Sequence, residues 1–249
     1  MARPNSMRQT HQRGIVIGPT LFIVAILAVL AAAIEAGSGA FNGDTSAISA
    51  KAYATAILEY AASVKMGVDR VLGKGYTDTQ VSFENPSGLS KTAGGDAYDY
   101  TNPNCTQNDC KVFNLEGGGI VPILIPADAA VDPSIVPNHW MHPQSFAVIP
   151  LRVLRLGTDT GADGTELVLW VGRLKKSVCI EINNILGISN PGGNPPADSV
   201  DCDAHIFTGT YPNCYNPIEN PHLAGKQAFC VSWGGEENQN ILLQVLHVR

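Results

Sequence analysis

Three short clusters in this 249-residue sequence combine residue types and spacings that could do chemistry. His139-Trp-Met-His142 sets two imidazoles three residues apart, which on a helix would aim both at one metal ion. Pro137 and Pro143 flank the pair and oppose a helix through it, and no glutamate stands at metalloprotease spacing. Surface-loop histidines are therefore expected. Asp159-x-Gly-x-Asp163-Gly164-x-Glu166 is patterned like an oxygen-rich calcium loop. An EF-hand needs acidic or amide ligands at three alternating positions and a later Glu; here one of the three is Gly161 and the late Glu is missing. A hairpin turn rich in Asp and Gly accounts for the same residues without an ion, with calcium at Asp159 and Asp163 kept as the alternative. No other cofactor is expected. Cys202-x-Asp-x-His205 is ligand-like, but no CxxC pair accompanies it. The sequence has no Gly-x-Ser-x-Gly elbow, P-loop or dinucleotide fingerprint. Catalytic triads assemble in space and leave no such trace, yet nothing here calls for an enzyme, and none is expected.

The six cysteines all follow the first hundred residues. An even count in a loop-rich chain favours disulfides in an oxidising compartment. Six cysteines allow fifteen pairings. The candidates are Cys105–Cys110, which closes a very short loop, Cys202–Cys214, which would brace a Pro-rich loop, and Cys179–Cys230, which would tie a helix to a strand.

Compartment is read from the N-terminus. Ile15 to Ile34 is a run of twenty residues without a charge, preceded by Arg3, Arg8 and Arg13 with no acid. At about 1.5 Å per residue such a run would cover roughly the hydrocarbon thickness of a bilayer. The basic flank predicts that the remainder faces outward. Two readings of the run stand side by side, a secretory signal cut after Ala31-Ala32-Ala33 and an uncleaved signal anchor, and a third rests on a family resemblance given below. The overall formal charge is −6, and the chain beyond the leader is more acidic still. An acidic head argues against nucleic acid as a main partner, because phosphate binding needs a basic face.

The elements that would position any site follow in order. Gly37 to Gly43 reads as a break, and Asp44, Thr45 or Ser46 can cap a helix reaching Leu72. Tyr53, Ile57, Tyr60, Val64, Val68 and Val71 form its apolar stripe. Residues 75–145 have little periodicity and are expected to be variable loops. Phe146–Leu156 and Thr165–Leu174 read as a hairpin of strands. Lys175–Leu186 reads as a helix with Val178, Ile182, Ile185 and Leu186 on one face and Gly187 as its stop. Lys226–Trp233 and Asn240–Val248 read as two more strands. The fold class expected is α+β: an N-terminal transmembrane helix continuing to an amphipathic helix packed on a mostly antiparallel four-stranded sheet. The domains would be a leader over 1–14, an anchor over 15–36 and an exported head over 44–249, with its sheet region at 146–249.

The short basic leader ending in Arg13-Gly14, followed at once by the apolar run from Ile15, resembles the prepilin-type leader of type IV pilins and type II secretion pseudopilins. The resemblance implies cleavage between Gly14 and Ile15 by a prepilin peptidase, with the apolar helix retained on the mature protein. It also implies partners among other pilin-like subunits and an inner-membrane assembly platform. The implied location is the inner membrane, single-pass, with the head in the periplasm or outside the cell in a filament. Position five of such a mature chain is Pro19, where most pilins carry Glu, so a minor or tip-like subunit is implied. Pilins often lock their C-terminal loop with a disulfide. The alternative expectation is a cleaved, secreted, disulfide-containing binding protein or hydrolase with its site in the 75–145 loops.

Overall fold

Alternation of apolar residues on strands that are buried on both faces sets the architecture. In the computed structural model, which describes residues 45–85, 98–132, 144–157, 164–199, 206–212, 217–235 and 238–249, a five-stranded sheet forms the centre. Its strands are β1 (Phe146–Leu151), β2 (Glu166–Leu174), β3 (Ala197–Asp198), β4 (Ala228–Trp233) and β5 (Asn240–His247). Their spatial order is β1-β2-β5-β4-β3. The first four in that order pair antiparallel, and β3 adds to β4 in parallel. Phe146 lies opposite Val171, and Trp170 opposite Leu243.

Odd and even residues of each strand feed two separate cores. Leu167, Leu169 and Val171 of β2 join Phe146, Val148, Cys230 and Leu242 on one face. Val168 and Trp170 join Ile149, Phe229, Val231 and Leu243 on the other. A strand with period two and no polar face must be covered on both sides.

Helix α1 (Thr45–Gly73) covers the first face. Ile57, Tyr60, Ala61, Val64, Val68 and Val71 are buried along it, so the predicted stripe is the packing face; Tyr53 is half-buried. Tyr60 meets Phe146 edge-on at 6.0 Å between ring centroids. Helix α2 (Lys176–Ile185) packs against the same core through Val178, Cys179 and Ile182. Its predicted face is only partly right. Ile185 is exposed, and Asn183 is buried in its place. The second face is closed by irregular segments contributing Ile188, Ile218 and Leu223.

Two expectations are corrected here. The four-stranded sheet is a five-stranded mixed one, because a two-residue stretch after a Pro pair adds to the free edge of β4 in parallel. Among the described residues no helix is long and apolar enough to cross a membrane. That overturns the spanning helix that was to run on into α1, and with it the single-pass inner-membrane location. α1 carries Lys51, Glu59, Lys65, Asp69 and Arg70, charges that hydrocarbon does not tolerate without partners. The stretch Ile15–Ile34 lies outside the described residues.

Among the described residues two disulfides brace the fold, Cys105–Cys110 and Cys179–Cys230, both expected pairings. Cys179–Cys230 closes a sequence separation of 51 and Cys105–Cys110 one of 5. Loop-closure entropy assigns them about 4 and about 2 kcal/mol respectively. The Cys179→Ser/Cys230→Ser double variant should therefore lose about twice as much unfolding free energy in urea as Cys105→Ser/Cys110→Ser. Equal losses would show that strain or residual unfolded structure, not loop length, governs the bridges.

Candidate functional site

The irregular segment between α1 and β1 is positioned by α1 itself. After α1 the chain turns through Asp78–Gln80, where Asn102 reaches in: its amide donates to the carbonyls of Thr79 at 3.0 Å and Val81 at 2.8 Å. Ser82 and Lys111 then form a short parallel bridge, with Ser82 N–H donating to the Cys110 carbonyl and Val112 N–H donating to the Ser82 carbonyl. The Cys105–Cys110 loop sits on this bridge, and Tyr76 donates to Asp109 at 2.5 Å beside it.

From there the chain runs back along α1. Lys74 donates to the Glu116 carbonyl, and also to Gly117 at 3.2 Å. Arg70 donates to the Gly118 carbonyl at 2.5 Å. Ile123 N–H donates to the Tyr60 hydroxyl at 3.4 Å, and Tyr53 donates to Asp128 at 3.4 Å. Positions 74, 70, 60 and 53 thus meet positions 116, 118, 123 and 128 in turn. The segment is antiparallel to the helix and fastened mostly through its backbone. Glycine permits the approach: a Cβ on Gly118 would lie 2.5 Å from the Val112 carbonyl oxygen, and one on Gly67 would lie 2.5 Å from Ile120 Cγ1.

A second arrangement fixes α2 to the sheet. Asn183 donates to the Cys230 carbonyl at 2.9 Å and accepts from the Cys230 N–H at 2.8 Å. Its side chain occupies the place of a neighbouring strand at the edge of β4, one helical turn from the Cys179 bridge. Spacing could have suggested this, since Cys179 and Asn183 stand four apart on one helix face; the apolar-stripe reading passed over a buried amide.

Two shallow clefts accompany these features. One, of about 380 Å³, is lined by Lys176, Asn194, Ser232 and Asn240 at the start of α2. The other, of about 490 Å³, lies by Pro150, Ile206, Thr208 and Thr210 at the edge of β1. Among the described residues no three His, Cys, Asp or Glu side chains converge as metal ligands would. His139, His142, Asp159, Asp163, Cys202, His205, Cys214, Gly14 and Ile15 lie outside the described residues. Glu166, the last acid of the Asp159 pattern, is fully buried and accepts the Val153 N–H at 2.9 Å. It serves the β1–β2 end of the sheet. No known protein family, curated protein or solved structure matches the chain.

Burial pushes the Tyr60 phenol well above its ordinary value, with the Ile123 N–H pulling it partly back. Tyr98 and Tyr211 are raised in the same direction, also chiefly by burial. These phenols keep their protons in the fold when the unfolded chain has begun to lose them, near pH 10. Their contribution is complete below that pH and falls away above it. Urea midpoints should drop steeply from pH 10 upward, and Tyr60→Phe should flatten the drop while costing roughly 1 kcal/mol at neutral pH. An unchanged alkaline slope in Tyr60→Phe would exclude that phenol as a source.

Gly67→Ala tests the helix–segment contact. An exposed helical Gly→Ala change stabilises by about 1 kcal/mol; here the added methyl meets Ile120 and Val112. The variant should melt lower than the parent, and Ile120→Ala in the same chain should recover part of the loss. A higher melting temperature for Gly67→Ala alone would show that the segment yields freely.

Proposed function

We propose that this chain is an exported, pilin-like structural subunit, which joins an assembly of the type IV pilus or type II secretion kind and presents its head to partners. The observation that carries the reading is the order of parts in the head. A 29-residue helix lies along a sheet whose four principal strands are antiparallel, an irregular segment separates the two, and a disulfide locks the C-terminal half. The two disulfides support export to an oxidising compartment. The Arg13-Gly14 leader pattern described above supports processing at Gly14–Ile15.

The long helix supports a structural task in physical terms. A helix of this length gives about 43 Å of rigid rod, and its outer side carries small and polar residues, Ala52, Thr55, Ala56 and Ala62 among them. Such a rod suits repeated lateral contact better than enclosure of a small ligand, for which a deeper and more apolar pocket is usual.

Purification of the full chain from cells that produce it naturally provides the test. Mass spectrometry should find a mature N-terminus at Ile15, and light scattering should find the chain in multimers or in a complex with similar subunits. A mature N-terminus at Ile34 together with a monodisperse monomer would reject the proposal and favour the secreted binding protein or hydrolase.

A further inference from the structure

The loop at the Cys105–Cys110 bridge carries a modification signal that the fold does not otherwise use. Of the asparagines in the sequence, Asn104 alone has Ser or Thr two residues on with no proline between, in Asn104-Cys105-Thr106. Asn85-Pro86-Ser87 has the same spacing, but its proline blocks it. The pattern is the acceptor signal for N-linked sugar on a surface loop of an exported chain.

The loop presents this signal at the tip of a turn. Cys105 N–H donates to the Asn102 carbonyl at 3.0 Å, closing a four-residue turn with Pro103 second and Asn104 third. Asn102, buried, holds the turn from beneath, and its side-chain oxygen accepts the Asn104 N–H at 2.9 Å. Asn104 and Thr106 are both exposed. The Asn104 side-chain amide has two hydrogens. Among the described residues it makes one bond, to the Thr79 carbonyl at 3.3 Å. A sugar would replace one hydrogen and leave the other as a donor, so the turn has no need to change. Turn chemistry by itself accounts for an asparagine at position 104. It does not account for Thr106, whose hydroxyl makes no hydrogen bond among the described residues. A hydroxyl at that spacing is what the acceptor signal requires.

We propose that Asn104 is an N-glycosylation site, receiving an oligosaccharide during export from a lipid-phosphate-linked sugar donor. Asn104 Nδ2 forms a bond to the anomeric carbon of the first sugar and gives up one proton. The bond from that carbon to the donor's phosphate oxygen breaks, and its electron pair leaves with the phosphate. The step requires export to an oxidising compartment, which the two disulfides support. It does not require an assembly subunit, since a secreted binding protein would meet the same donor.

Peptide mapping by mass spectrometry, on the full chain purified from cells that produce it naturally, tests the site. The peptide holding Asn104 should carry the added mass of one or more sugar residues, and fragmentation should place it on that side chain. Thr106→Ala should lose the sugar and Thr106→Ser should keep it. Both variants should retain the parent's melting temperature and disulfide content, because the hydroxyl holds nothing in the fold. An Asn104 peptide that is bare in the parent chain, or a sugar that survives Thr106→Ala, would overturn the site. A bare Asn104 on a multimeric chain beginning at Ile15 would overturn the site and leave the assembly reading standing. A sugar on Asn104 of a monomer beginning at Ile34 would support the site and reject the assembly reading.

Discussion

The whole head follows from a sheet that has no polar face. All nine residues of β2 are buried, as are all six of β1, so water is excluded from both sides of the central strands. Such a sheet is unstable unless two layers are laid over it, and the chain has only two α-helices among its described residues to do so. Both go to one face, where Val64, Val68, Val178 and Ile182 share a core with Leu169 and Leu242. The other face is left to loop residues, and there Trp170 and Trp233 meet at 4.6 Å between ring centroids in a core shared with Phe229 and Leu243.

The edges of the sheet face the complementary problem of unpaired backbone groups. At β1, Pro150 has no N–H to leave unpaired, the Tyr100 hydroxyl accepts the Val148 N–H at 3.1 Å, and Phe207 N–H donates to the Val148 carbonyl at 2.9 Å. At β4, the two residues of β3 cover Ser232 and Trp233, and Asn183 covers Cys230. Each edge is closed by single residues at chosen points, with no continuous strand added.

The parts of the fold that were legible in the sequence are those in which burial repeats. The α1 stripe, the four principal strands and the extent of α2 all rest on apolar residues recurring every two, three or four positions. The 51-residue bridge between Cys179 and Cys230 was legible because a helix and a strand were already placed at its ends. What escaped had no period to show. β3 is an Ala-Asp pair whose strand character comes wholly from its neighbour. Asn183 is polar and falls outside the predicted apolar face, yet the cost of leaving the Cys230 backbone groups unpaired draws it in. β1 stops at Leu151 although apolar residues continue, since the chain leaves β2 to bridge Ile218 from Val153 and then enters a turn with Arg155 at positive φ. The return of residues 116–128 along α1 was likewise hidden: most of its bonds use backbone groups, which every residue possesses, and only the Gly-rich turn marks it.

That manner of fastening separates two things that usually change together. The position of the returning segment is held largely by main-chain oxygens and by donors on the helix, at Arg70 and Lys74, whereas the exposed Leu115 and Val121 side chains make none of these bonds. Replacing either of them leaves those bonds in place. The segment therefore behaves as an exchangeable face on a fixed mount, free to diverge in what it meets without endangering the fold beneath it.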